Sequence, residues 1–305
     1  MLAFIASATA QDKTLNKTFS GIKSIKLTTS SGDITLKKGS GSDVKLTLKY
    51  SYDDDEFKPI IEESAGRLIL KEEFSRGSHS GSSSWTLEVP DNITLSANSG
   101  SGNFSMDQVN SDVKCNLGSG DIFINAVKGE LDFNTGSGNI ELSRIDGDVS
   151  LNTGSGDITA KDGSGEFSFN AGSGNIRLDQ LKGDFSVNTG SGDIRANVVL
   201  TASSKFNTGS GDADVKLGGE LNNNISVNSG SGDATLNFNG TPIAGEVIMT
   251  ANKKGGDIVA PFKFDSEETI EEGNSSARIE KRAKLGNKNI QIRVGTGSGT
   301  AEIKN

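Results

Sequence analysis

Apolar and polar residues alternate along most of this chain in short runs, and the runs recur at a fixed interval. The tripeptide GSG begins at Gly100, Gly118, Gly136, Gly154, Gly172, Gly190, Gly209 and Gly230; the first five steps are 18 residues each, the next two 19 and 21. In each unit one run carries an apolar pair, as in Ile122/Ile124, Ile140/Leu142, Ile158/Ala160 and Ile176/Leu178. A second run carries Leu131/Phe133, Val149/Leu151, Phe167/Phe169 and Phe185/Val187. A spacing of two puts both members of a pair on one side of a strand. Each unit therefore predicts two short strands, with GSG-Asp/Asn turning the chain at one end. At the other end stand Gly129-Glu130, Gly147-Asp148 or Gly183-Asp184. Glycine is expected at both corners for its freedom to take positive φ.

Two such strands cannot bury their own apolar face, but stacked copies can. The expected fold is all-β: a single-stranded parallel β-helix or solenoid of about 18 residues per coil, each strand about 4.8 Å from its equivalent, with non-repetitive β caps at both ends. A meander of antiparallel hairpins is the alternative. It gives no reason for equivalent positions to share a residue type.

The Asn before each turn (Asn98, Asn116, Asn134, Asn152, Asn170, Asn188, Asn207 and Asn228) predicts a side-chain amide ladder along the stack. The corner glycines Gly120, Gly138, Gly156, Gly174 and Gly192 belong to the same structural set. After them Asp121, Asn139, Asp157, Asn175 and Asp193 alternate in charge, which keeps like carboxylates two coils apart. Divergent copies at 28–36 and 295–303 bracket the repeat. The chain divides into a signal-peptide remnant (1–10), an N-terminal β cap (11–97), the regular repeats (98–239) and a C-terminal cap with a last GSG coil (240–305), with 11–305 forming one domain. The remnant is read from the apolar MLAFIASATA and its Ala8-Thr9-Ala10. It implies an extracytoplasmic location.

Composition narrows the function more than it defines it. Apolar residues are 32 % of 305, below the 45–50 % usual for globular chains, as a thin rod with few inward side chains requires. Gly and Pro together stay near 14 %, and Leu, Ile, Val and Phe near a quarter, so disorder is not the reading. The net charge of −9 argues against a nucleic-acid surface. No run approaches 18 apolar residues, so no transmembrane helix is expected. One Cys and one His provide neither an internal disulfide nor a Cys/His zinc site.

Candidate chemistry is sparse. Outward positions of the first run are Ser105, Phe123, Glu141, Thr159, Arg177, Arg195, Asp214 and Thr235; Glu141, Arg177 and Arg195 share that face and read as solvated charge. Cys115 takes an inward position and reads as core. His79 stands in a Ser/Gly loop with no visible partner, and Trp85, Tyr50, Tyr52 and Phe123 are the dispersed candidates for a sugar platform. Calcium is disfavoured, because the β-roll motif needs Asp two residues after its last Gly and here it follows directly. No catalytic, cofactor or metal residues are assigned.

The TGSGNI and TGSGDI strings at 135–140, 153–158 and 189–194 resemble a bacterial putative-adhesin family of domains of unknown function, related to the auto-transporter adhesin head domain. The likeness includes the entry segment from Val89-Pro90 to Leu95 and extends over 19–303. The resemblance implies a right-handed β-helix, export and adhesion, and supplies no catalytic residues. The expected function is an exported, non-enzymatic binding or structural solenoid that contacts a glycan or protein at the cell envelope. A polysaccharide-active enzyme and a calcium-stabilised repeat module are the alternatives.

Overall fold

The computed structural model describes residues 13–77, 79–272 and 276–305. The expected signal-peptide remnant, 1–10, lies outside the described residues. Every regular element among the described residues is a strand.

The alternating runs form strands because each buries one edge and shows the other. In Leu131–Thr135 burial alternates strictly, with Leu131, Phe133 and Thr135 inside. Equivalent strands pair in parallel with an 18-residue offset: Leu131 with Val149, Phe133 with Leu151, Ile122 with Ile140. The meander is not what the repeats form.

Two stacks result. Stack I holds Asp33–Lys38, Phe104–Asp107, Ile122–Lys128 and Ile140–Asp146, and ends with Ala213–Leu217, Ala234–Asn237 and Thr300–Lys304. Stack II holds Ser24–Thr29, Thr94–Ser99, Val113–Leu117, Leu131–Thr135 and Val149–Thr153, and ends with Ser204–Thr208, Ile225–Ser229 and Gln291–Thr296. The 14-residue strands Ile158–Ala171 and Ile176–Thr189 run through both stacks. Between the stacks lies one narrow core in which aromatic rings follow one another, Phe167 against Phe185 at 5.3 Å and Phe185 against Phe206 at 5.9 Å.

Both ends depart from the repeat. At one, Val44–Tyr50 pairs antiparallel with both Ser83–Val89 and Lys13–Phe19, and Phe57–Ser64 forms a hairpin with Arg67–Phe74. At the other, Ser276–Leu285 pairs antiparallel with Gly245–Asn252 and Ser266–Glu272. The last of these edge strands carries exposed Glu267, Glu268 and Glu271, charges that discourage a further strand from adding.

The coil differs from the expected two-strand unit in one respect. Gln108, Ala126, Arg144, Asp162 and Gln180, again 18 residues apart, all hold φ between 52° and 57°. Each bends the chain, and in four of the five the next residue turns into the core, so Val109, Val127, Ile145 and Leu181 are buried as a third, short side, while Gly163 follows Asp162. The corner glycines also require correction. Gly120, Gly138, Gly156, Gly174 and Gly192 are not among the positive-φ residues. They are glycine because a Cβ at Gly138 would run into the carbonyl oxygen of Gly120 one coil back, and so on along the column. Close stacking, not backbone handedness, excludes a side chain there.

Candidate binding trough

Side chains that point away from the core form columns along the stack, because parallel in-register pairing puts equivalent residues side by side. On stack II the Asn column is joined throughout: Asn116 Nδ2 donates to Asn98 Oδ1 at 3.1 Å, and the same bond repeats at Asn134, Asn152, Asn170, Asn188, Asn207 and Asn228. At the corner the backbone N–H of each Asp or Asn donates to the Oδ1 of its predecessor, as in Asn139 to Asp121 at 2.7 Å and Asp157 to Asn139 at 2.9 Å. Either side chain offers that oxygen, which explains why Asp and Asn interchange. A third column is inward and escaped the reading of the sequence. Thr135 Oγ1 donates to Gly120 O at 3.0 Å and accepts from Gly138 N at 3.2 Å, and Thr153 and Thr189 do the same. Its signal was the Thr that precedes GSG in repeated NTGSG strings.

Stack I presents a different surface. Its outer face carries two columns. One runs Ser105, Phe123, Glu141, Thr159, Arg177, Arg195, Asp214, Thr235, as the alternation predicts. The other runs Asp107, Asn125, Ser143, Lys161, Asp179, Asn197, Lys216. The second is partly cross-linked: Asn125 Nδ2 donates to Asp107 Oδ1 at 2.6 Å, Ser143 Oγ to Asn125 Oδ1 at 2.7 Å, and Asn197 Nδ2 to Asp179 Oδ1 at 2.9 Å. Two concavities lie along this face. One, of about 540 Å³, reaches from Ser105 and Phe123 past Glu141 to Thr159 and Lys161. The other, of about 330 Å³, continues from Thr159 and Lys161 past Arg177 and Arg195 to Lys216. They share Thr159 and Lys161 and together cross seven strands, a trough of about 30 Å at the usual strand spacing.

The trough brings together three residues singled out from the sequence. Arg177 and Arg195 are cross-strand partners, and Glu141 stands two strands before Arg177. Arg177 pairs with Asp157 at 3.5 Å and Arg195 with Asp193 at 2.9 Å. Phe123 is also here, 43 % exposed. The other aromatic candidates are not. Trp85 is fully buried, its Nε1 donating to Glu72 Oε1 at 2.9 Å. Tyr52 is buried and stacks on Phe57, which Tyr50 also touches. His79 has partners after all: its ring stacks on Phe74, Nε2 lies 2.8 Å from Ser75 O, and Glu56 Oε2 is 3.8 Å from Nδ1. The loop joins the aromatic cluster of the N-terminal end, a contact that sequence spacing does not reveal. Cys115 is buried between Ala97 and Phe133, and desolvation pushes its thiol far above the ordinary range. Among the described residues, no group of three or more His, Cys, Asp or Glu is placed to hold a metal ion.

Fold and face define a parallel β-solenoid with a long trough on one outer surface. The sequence matches the family model Toastrack DUF4097 over residues 22–212 and again over 125–304, and the chain belongs to that family. The overlap of the two matches is what a repeated unit produces. No protein of curated function matches it. Among solved structures, it is similar to a putative cell adhesion protein from Clostridium sporogenes, at 14 % identity over 96 % of this chain and 99 % of that one, with TM-score 0.24. A putative lipid binding protein from Parabacteroides distasonis aligns at 23 % identity over 70 % of this chain and 93 % of that one, TM-score 0.49. A putative adhesin from Parabacteroides merdae aligns at 14 % identity over 97 % of each chain, TM-score 0.32.

Proposed function

We propose that this chain is an exported, non-enzymatic β-solenoid that binds a glycan or protein at the cell envelope, with the trough on stack I as its contact surface. The observation that carries this reading is the continuity of the two concavities across seven strands. Ligand sites are concave surfaces with a few polar groups placed to orient the ligand. Here those groups are spread along a line and bonded to one another, as in Asp107–Asn125–Ser143, rather than converging on one reacting atom. An extended ligand suits that layout. Export enters through the apolar N-terminal run and Ala8-Thr9-Ala10. A right-handed winding belongs to the same reading, because parallel crossovers are almost always right-handed, as does the kinship with auto-transporter adhesin heads.

The test is retention of purified protein on immobilised envelope polysaccharide and protein fractions, wild type against Phe123→Ala. The expected result is retention of the wild type and a several-fold loss in the variant. Equal retention of both rejects the trough as the contact surface. Turnover of a retained glycan that Glu141→Gln abolishes would replace binding with catalysis.

A further inference from the structure

We infer that the trough takes a carboxylated glycan, with an acidic sugar held at Arg177 and Arg195 and another ring stacked on Phe123; this rests on the trough being a binding surface, as proposed above. Charge along the trough is sorted. The half beyond Thr159 is lined by Lys161, Arg177, Arg195 and Lys216 against Asp179 and Asp214, with Asp157 and Asp193 beside the arginines, so both guanidinium groups of the trough lie in this half.

The two arginines are direct cross-strand partners, so their cationic side chains stand side by side on strands about 4.8 Å apart. Like charges in that arrangement repel. Each has one exposed carboxylate partner, and 49 % and 54 % of their side chains remain open to solvent. A guanidinium presents five donors in a planar fork, and a carboxylate accepts two of them in parallel. Donors therefore remain for an acidic ligand, which would also relieve the repulsion.

Phe123 supplies the second contact. Only it and Val259 are exposed large apolar residues among those described. An exposed ring on a polar face suits the apolar side of a pyranose. It stands three strands from Arg177, about 14 Å, and a pyranose in an extended glycan advances by about one strand spacing. A ring on Phe123 and a carboxylate at Arg177 are thus three units apart, with Glu141 and the hydroxyls of Ser143 and Thr159 between them, so the unit beside Glu141 must turn its own carboxylate away from the trough. An acidic peptide would meet the arginines but offers no comparable face to Phe123.

Calorimetric titration of the full chain with hexagalacturonate, cellohexaose and hexaglutamate tests this. Hexagalacturonate should bind, more weakly as salt is raised, and cellohexaose should bind roughly tenfold or more weakly. Arg177→Gln and Arg195→Gln should each weaken hexagalacturonate by roughly tenfold or more. Phe123→Ala should weaken both glycans, with unchanged circular dichroism in all three variants. Cellohexaose binding as tightly as hexagalacturonate, lost in Phe123→Ala, overturns the acidic class while leaving the trough a binding surface. Hexaglutamate binding as tightly as hexagalacturonate, indifferent to Phe123→Ala, overturns the glycan. Failure of all three probes overturns this inference, and the binding reading is then decided separately by the envelope fractions.

Discussion

Ala126 and Arg144 hold a left-handed backbone conformation that side-chain-bearing residues avoid, at about 1–2 kcal/mol each. The cost recurs in five successive coils at residues as unlike as Gln, Ala, Arg and Asp. It is tolerated because the bend turns Val127 or Ile145 into the core, where burial of such a side chain stabilises by about 1.5–3 kcal/mol. Ala126→Gly should remove the strain and raise stability by about 0.5–1 kcal/mol in denaturant melts, after the greater entropy of glycine in the unfolded chain is counted. A loss of stability would mean that the Ala126 side chain itself matters there. This bend was not legible in the sequence, since nothing about Gln, Ala, Arg, Asp, Gln signals a turn. The inward pairs Ile122/Ile124 and Leu131/Phe133 were legible, because alternation and burial have the same period. Positive φ was legible at Gly129 and Gly147, but the GSG corners such as Gly138 were not legible for their reason, because a clash with the preceding coil exists only once the coils are stacked.

At the scale of the element, each strand is held by its two neighbours through backbone bonds and side-chain columns together. Asn152 shows the combination. Its amide donates to Asn134 at 2.9 Å and its oxygen accepts from Asn170 at 3.0 Å. Asn152→Ala removes both bonds from a half-buried column and should cost about 1–2 kcal/mol, read from the shift in unfolding midpoint at unchanged slope. An unchanged midpoint would reduce the ladder to ornament on a backbone already sufficient. The column was predictable because one residue type repeats at one position. The trough was only half predictable. Its outward column follows from alternation and the adjacency of Arg177 and Arg195 from the 18-residue period, but the concavity depends on how the stacked strands curve. The ends were hardest. Trp85 and His79 sit in non-repeating segments, where no second copy reveals which way a side chain faces.

At the scale of the molecule, contacts run from coil to coil, so each coil meets only its neighbours and stability is distributed along the axis. Excision of residues 154–171 joins Thr153 to Gly172 and restores the NTGSG order of the turn. Cys115 to Phe133 and Phe185 to Phe206 then remain as they are. The shortened chain should fold, with a cooperative transition and a maximum dimension in X-ray scattering smaller by about one strand spacing, ~4.8 Å. A chain that fails to fold would show that the coils are not interchangeable units.

In the Asn, corner and Thr columns of the repeat, the proton comes from the later coil. Asn116 gives to Asn98, the amide of Asn139 gives to Asp121, and the hydroxyl of Thr135 gives to the carbonyl of Gly120. A ribosome delivers the earlier coil first. In these three columns the growing tip of a nascent chain therefore carries waiting acceptors, and the segment that arrives next brings the donors, while backbone bonds such as Ile122 N–H to Asn139 O run the opposite way. Those columns thus give the rod a one-way grain, set by the order in which its coils are made.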